Sequence, residues 1–267
     1  MLISALYLLS LIIILSYTTI LFFVAQFKKD NSIIDIGYGI GFILTGYTLT
    51  KLFPGELTMS PYSSFLFILI FIWGVRLSVR IYLRNKGKEE DFRYRTWRNM
   101  WSRKGHLYFL ARSYLQIFIL QGIIISIVLL PYTVSLARHK TYTSGILLGL
   151  ALWVIGFLFE AISDKQLDRF IKNKSKNNTT IMRTGLWKYS RHPNYFGESL
   201  MWFGIASIAY VATGSFIVFL SPLLITYLLL KVSGVPMAEK KWEGNNEWEE
   251  YKKRTSVFFP AIPKKVS

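Results

Sequence analysis

No cysteine occurs in the chain, and histidine occurs only three times. The first absence excludes disulfides, thiolate nucleophiles and cysteine metal sites together, and it says nothing of compartment. The second leaves His106, His139 and His192 on separate segments, no two at ligand spacing, so no metal centre is expected. Acidic residues are scarce as well, with 15 Asp and Glu against 32 Lys and Arg and a net charge of +17. No Gly-rich dinucleotide fingerprint and no P-loop occurs, so a nucleotide would have to bind within a helical bundle rather than on a soluble nucleotide fold. What the chain has in quantity is apolar sequence. Of its 267 residues 52% are hydrophobic and only 18% charged, a balance foreign to soluble domains.

Crossing a bilayer takes about 20 apolar residues per helix. Seven windows qualify or come close: 2–25, 33–53, 62–83, 108–130, 143–162, 197–213 and 215–232. The last two are short and joined only by Thr213-Gly214-Ser215, so a re-entrant pair is the alternative there. The expected fold is all-α, a multi-pass transmembrane bundle of about seven helices. The first window has no basic region before it and no small-residue cleavage site after it, so it reads as a retained helix rather than a signal peptide. Segments 26–32, 84–107, 163–196 and 233–267 carry 25 Lys and Arg, while the alternate loops carry three, Lys51, Arg138 and Lys140. That asymmetry places the N-terminus outside and the C-terminus in the cytoplasm. It also accounts for the basic charge through topology and anionic headgroups, so no nucleic-acid partner is expected.

No internal repeat and no low-complexity linker divides the chain. It reads as one integral-membrane domain over 1–267, with cytoplasmic segments at 163–196 and 233–267. The tract Lys172 to Asn178 reads as a solvated loop. In the tail, Trp242, Trp248, Tyr251, Phe258 and Phe259 alternate with Lys and Glu, which predicts a short interfacial helix ended by Pro260 and Pro263.

The densest chemistry lies in Tyr189-Ser190-Arg191-His192-Pro193-Asn194-Tyr195-Phe196-Gly197-Glu198, directly before an apolar run. Proline suits a first helical turn, and Ser190 or Asn194 is a candidate cap. A helix start favours phosphate or carboxylate. From Pro193 onward, Asn194, Glu198 and Trp202 share one face. Arg76, Arg80 and Arg84 form a basic stripe at four-residue spacing, and Glu160, Asp164 and Asp168 form an acidic one. Charge at membrane depth is costly, so each stripe should face protein or a polar cavity. The stripes either pair with each other or line a pocket, with arginines on phosphates and carboxylates on hydroxyls or an amide. Asp35 opens the second helix, before Gly37, Gly39 and Gly41. It is either a helix cap or a functional acid, and the glycines admit a close helix or a flat ligand. The loop Arg84 to Arg95 mixes basic, acidic and aromatic groups, and either folds over an anionic ligand or is solvated surface.

The Tyr189–Glu198 stretch resembles the C-terminal domain of the steroid 5-alpha-reductase family, most closely its bacterial DUF1295 branch. Ser32 to Gly41, Trp73-Gly74 with Arg76-Leu77, Arg84 to Asp91, Glu160 with Asp164 to Leu167, Ser233 to Pro236 and Trp248 to Pro260 extend the resemblance over nearly the whole chain. The resemblance implies a seven-helix membrane reductase that takes NADPH from the cytoplasmic side. The implied substrate is an enone such as a 3-oxo-Δ4 steroid, or another unsaturated lipid delivered by the bilayer. Asn194 and Glu198 match family residues facing the cofactor, and Asp164 matches a cofactor-contacting Asp. Glu160 stands where steroid-active members carry Asn. Arg183 lies near a family Arg at the phosphates. Tyr189, Arg191, His192 and Trp202 complete the expected cofactor set, with Arg76, Arg80 and Arg84. No Gln-Glu pair occurs early in the second helix, where steroid-active members hold the ketone.

In such a reaction hydride adds to the β-carbon of the conjugated C=C, and a donor must stabilise the oxygen anion that develops. Asp35 with a raised pKa is one candidate, and Tyr38 is the neutral one. Two rivals stand beside this expectation. Isoprenylcysteine carboxyl methyltransferases share an Arg-His-Pro-x-Tyr-x-Gly element, which Arg191 to Gly197 also fits, and would take S-adenosylmethionine. A non-enzymatic lipid-binding protein on the same fold is the other. The expected location is the inner membrane of a bacterial cell, or the endoplasmic reticulum of a eukaryotic one. The sequence gives no oligomeric state.

Overall fold

A computed structural model of the protein describes residues 2–52, 61–137, 145–173 and 180–265. Arg138, His139, Lys140 and most of the Lys172–Asn178 tract lie outside the described residues. No strand occurs among the described residues; one isolated parallel bridge joins Ser190 and Ser256. The chain divides into two compact units, Met1–Tyr142 with Ala209–Val218, and Thr143–Ile208 with Phe219–Ser267.

Among the described residues six helices are long and apolar enough to cross a membrane: Leu2–Lys28, Ile33–Leu52, Pro61–Asn85, His106–Val128, Ile146–Lys172 and Phe216–Lys240. The expected window at 197–213 is part of a seventh long helix, Pro193–Thr213, of 21 residues. Its opening turns hold Asn194 and Glu198, which keep it less apolar than the six. At about 1.5 Å per residue its length is about that of the hydrocarbon core.

The first unit contains α1 (Leu2–Lys28), α2 (Ile33–Leu52), α3 (Pro61–Asn85), α4 (Phe92–Ser102), α5 (His106–Val128) and α6 (Leu130–Ala137). Along α1 the buried residues are Leu6, Ser10, Ile14, Thr18, Phe22 and Ala25. They form a single stripe at near four-residue spacing. Leu8, Ile12, Ile20, Phe23 and Phe27 point elsewhere and are exposed. Water would penalise that display, whereas lipid chains accept it without cost. The small residues Ser10 and Thr18 on the buried stripe let neighbouring helices approach. α1 stops where Lys29 adopts a left-handed conformation, and Asp30 then accepts from the backbone N–H and hydroxyl of Ser32 to close the turn into α2.

The expected role of the α2 glycines resolves toward helices. A Cβ on Gly39 would lie 2.6 Å from Ser78 Oγ and closer still to the Gly74 carbonyl on α3, and one on Gly41 would lie 2.9 Å from Ile14 on α1. Two neighbouring helices therefore occupy the space that side chains would need. α4 is amphipathic. Its Tyr94 and Trp101, seven residues apart, are buried against Phe22, Ala25, Ile34, Phe109 and Phe118. Asp91 caps it by accepting from the Arg93 N–H at 3.0 Å.

The second unit contains α7 (Ile146–Lys172), most of α8 (Pro193–Thr213), α9 (Leu220–Tyr227), α10 (Val235–Lys240) and α11 (Asn246–Arg254). α7 and α8 cross through glycines on both sides. A Cβ on Gly197 would lie 2.5 Å from the Glu160 backbone nitrogen, and one on Gly204 would lie 2.6 Å from that of Trp153. The tail helix expected at 242–260 forms as α11, but its aromatic face turns inward. Trp248 and Tyr251 are each 5% exposed and pack on Ile181. The bilayer is therefore not what covers that face.

Candidate functional site

In the first unit, polar groups converge where α2 begins. Asp35 is placed by the Asp30–Ser32 turn, and α4 presents two consecutive residues to it. Arg93 donates from Nη2 to Asp35 Oδ2 at 2.8 Å, and Tyr94 Oη donates to Oδ1 at 2.5 Å. Both carboxylate oxygens are thus engaged, one by a permanent cation. Arg93 also donates from Nε to Asp91 at 2.9 Å. Burial works against the Arg93 charge, but Asp35 and Asp91 outweigh it and push its pKa up. Burial would raise the Asp91 carboxyl too, but hydrogen bonds from the Arg93 side chain and backbone hold it below the usual range. The Tyr94 phenol is pushed well up, by burial first and then by the Asp35 charge, so it stays protonated. A buried phenol beside a charged pair is a hydrogen-bond donor held ready for an oxygen anion.

A second network fastens α4 in place. Arg98 binds Glu90 through two bonds, Nε at 2.9 Å and Nη2 at 2.8 Å. Glu90 in turn accepts from the Asn31 N–H at 2.7 Å. Asn31 is fully buried and accepts from Gln26. The loop expected either to cover a ligand or to be solvated is thus anchored through Glu90 and Asp91. Tyr94 and Arg93 were not singled out in sequence, because their partner lies 59 and 58 positions away. The aromatic-plus-Arg content of the loop was the only signal.

In the second unit, the tight α7–α8 crossing brings Asn194 to the acidic stripe. Asn194 Nδ2 donates to Asp164 Oδ1 at 3.2 Å. Glu160 and Asp164 are each 3% exposed, and Trp202 is fully buried. Asn194 Oδ1 is buried with no hydrogen-bond partner among the described residues. An orphaned buried acceptor costs about 1–3 kcal/mol, and a carboxamide N–H or sugar hydroxyl of a nucleotide cofactor is the type of group that fills it. The residues present therefore fit such a cofactor. Lys165 and Arg169 line a cavity of about 560 Å³ with Gln166, Met182 and Thr184. Neither cation is among the site residues expected from the sequence.

The rest of the motif fastens the tail. Arg191 Nε and His192 Nε2 both meet Glu239 Oε1, each at 2.9 Å. Arg191 Nη1 also donates to the carbonyls of Lys252 and Thr255. Burial pulls the His192 pKa down against the raising effect of Glu239, so a neutral ring donates Nε2–H. Ser190 is not the cap of α8. Its Oγ accepts from the His192 N–H and donates to the Phe258 carbonyl at 2.8 Å. Tyr251 donates to the Trp187 and Ser190 carbonyls.

The other expected residues fall as follows. Tyr38 lays its ring edge-on against Phe42 at 5.3 Å. Arg76 and Arg80 are half-buried on α3, and Arg84 is exposed at its end. The Arg84 charge acts on both Asp35 and Asp91. Tyr38, Arg76, Arg80 and Arg84, with Asp35, belong to the first unit, and the acidic stripe, Glu198 and Trp202 to the second. Tyr189 and Arg183 are exposed. Arg183 lines a cavity with Lys188, Glu250 and Arg254, a set that does not include Asn194, Glu160 or Asp164.

Comparison with known proteins gives two results. A family model described as "Protein of unknown function (DUF1295)" matches residues 21–255. Mammalian proteins named 3-oxo-5-alpha-steroid 4-dehydrogenase 1 match part of the chain. The protein from Bos taurus is 32% identical over 117 residues, 43% of this chain and 42% of its own length. That from Homo sapiens is 31% identical over 116 residues, 43% and 41% of the two lengths. That from Rattus norvegicus is 29% identical over 119 residues. The chain therefore spans about two fifths of these relatives' length. No solved structure matches.

Proposed function

The chain belongs to the DUF1295 family, and from that premise we propose that it is a membrane-embedded reductase of a C=C bond conjugated to a carbonyl, using NADPH on an apolar enone. The observation that carries this reading is the Asp35–Arg93–Tyr94 cluster at the start of a membrane helix. The names of the mammalian relatives support the same reaction class.

Asn194, Asp164, Glu160, Glu198 and Trp202 would hold the cofactor, with Lys165 and Arg169 as further candidates for its phosphates. The cofactor, when bound, supplies the hydride. Within the first unit, Tyr94 is the group that would turn its Oη–H to a carbonyl oxygen and stabilise negative charge on it. Asp35 is its ground-state acceptor and keeps the phenol oriented. Arg93 and Tyr94 occupy both oxygens of Asp35, so the donor role, expected of Asp35 or Tyr38, is assigned here to the Tyr94 phenol. Arg191 and His192 act by fastening the tail beneath α8, and contact with cofactor is no longer assigned to them. Topology follows the charge asymmetry, with the N-terminus outside and the C-terminus in the cytoplasm.

The test is a pair of titrations on detergent-purified protein, one with NADPH and one with S-adenosylmethionine, followed by melting temperature. Ligand at 100 times its Kd stabilises by about 2.7 kcal/mol. A rise with NADPH alone, followed by NADPH oxidation with members of an enone panel, is the expected result. A rise with S-adenosylmethionine alone would replace the reductase by a methyltransferase.

A further inference from the structure

We propose that the cavity ringed by Arg183, Lys188 and Arg254 binds the phosphate of an anionic phospholipid, while Phe259 and Ile262 enter the bilayer interface beside it. This assignment is independent of the reductase reading, and it removes Arg183 from the cofactor set.

The cavity measures about 420 Å³ and is closed by Tyr251, Thr255 and Pro263, with Glu250 as the one carboxylate among its described lining residues. Three cations against one anion leave it strongly favourable to a phosphate. Arg183, Lys188 and Arg254 are all exposed, so their charge is not spent inside the fold.

The tail beside it presents apolar side chains outward. Phe259 is 70% exposed and Ile262 is 87% exposed. They do not belong to a floppy end. The Ala261 N–H donates to the Tyr189 carbonyl at 2.9 Å, and the Lys264 N–H donates to the Arg254 carbonyl at 2.9 Å. The Phe258 carbonyl accepts from Ser190. Phe259 also leans edge-on against Phe196 at 5.9 Å. Those bonds tie the apolar pair to both walls of the cavity, since Lys188 precedes Tyr189 and Pro263 follows Ile262. Basic groups beside bulky apolar ones, held by a fixed backbone, make a surface suited to the boundary between headgroups and acyl chains. The charge asymmetry puts the tail on the cytoplasmic side, where anionic lipid attracts such groups.

The experiment measures retention of phosphatidylglycerol on the full chain in zwitterionic detergent, by native mass spectrometry with added lipid. Each cation near an anionic surface is worth about fivefold in affinity, so Arg183→Gln/Lys188→Gln/Arg254→Gln should lose about 100-fold. A control with as many exposed cations removed elsewhere, Lys86→Gln/Lys88→Gln/Lys104→Gln, should lose no more than about twofold. Phe259→Ser/Ile262→Ser should also weaken phosphatidylglycerol, through the lost acyl-chain contact. Equal losses in the cavity variant and the control would reduce the effect to diffuse surface charge and overturn the proposal. So would inorganic phosphate competing as tightly as the lipid, or NADPH displacing it, the latter returning the cavity to the cofactor. If the triple variant fails to fold, Arg254→Gln alone carries the same test at about fivefold. Failure of NADPH to bind anywhere would sink the reductase reading and leave this one standing.

Discussion

At the residue scale the decisive group is Tyr94. Tyr94→Phe keeps the ring and its packing on Trp97 and loses one hydrogen bond to Asp35. That bond is worth about 1 kcal/mol of stability, a small shift in melting temperature. Turnover should fall about 100-fold or more, the scale of a lost general acid, with NADPH affinity unchanged. Near-normal turnover would make Tyr94 a packing residue. Asn194→Ala should do the reverse, weakening NADPH about 5- to 150-fold for a lost buried hydrogen bond, read by calorimetric titration. His192 carries a pH signature. Burial holds it neutral in the fold, while the unfolded chain protonates near the ordinary value of 6.5. Its contribution is therefore complete above about 6.5 and lost as pH falls through the lower folded value. Between pH 7.5 and 5.5 the parent should lose more thermal stability than His192→Gln, whose amide still donates to Glu239. Equal losses would mean that the imidazole is not held neutral. Asp35 and Asn194 were legible in sequence because each opens an apolar run with a polar group. Tyr94 was not, because nothing within a few residues of it marks the aspartate it meets.

At the scale of elements, hydropathy found a window for each long apolar helix, but it ended the windows at 162 and 232 well before the helices Ile146–Lys172 and Phe216–Lys240 end, because their last turns are polar. What it did not convey was which side of each helix meets protein. The α7–α8 contact shows why. Gly149 and Gly156 on one helix and Gly197 and Gly204 on the other repeat at the same interval, but only their meeting gives the interval meaning. Around Gly197 the near atoms are backbone, the Glu160 nitrogen at 2.5 Å and the Gly156 carbonyl at 2.6 Å, which cannot step aside. Gly197→Ala should therefore destabilise by roughly 3 kcal/mol or more and weaken NADPH as well, since it parts Asn194 from Asp164. Gly122→Ala makes the useful contrast. Its neighbours are side-chain atoms of Leu15 and Thr18, which can rotate, and the expected cost is about 1 kcal/mol. Unfolding in denaturing detergent ranks the two, and equal costs would mean that α7 and α8 are not so closely packed. The tail is the other element whose role changed. Alternating aromatics and charges suit an interfacial helix and a docked one equally, and only the burial of Trp248 and Tyr251 separates them.

At the scale of the whole molecule the absences noticed first become an experimental asset. A chain with no cysteine needs no prior substitution before single cysteines are placed along it. The charge asymmetry, 25 basic residues on one set of segments and three on the other, predicts the orientation of the bundle. That expectation rests on sequence alone, since insertion reads local charge before any tertiary structure exists. The division into two compact units was not legible, because no change of composition marks it. Orientation yields the last expectation. Lys51 and Lys104 are both exposed, the first at the end of α2 and the second between α4 and α5. With the N-terminus outside, Lys51→Cys lies on the outer surface and Lys104→Cys on the cytoplasmic one. In intact cells a membrane-impermeant maleimide should label Lys51→Cys and leave Lys104→Cys untouched until the membrane is permeabilised. Labelling in the opposite sense would invert the bundle. It would carry the Asp35–Arg93–Tyr94 cluster and the α8 start away from the compartment that holds NADPH. The reductase proposal would then fall with the topology, because a cofactor with several phosphates does not cross the bilayer to reach its site.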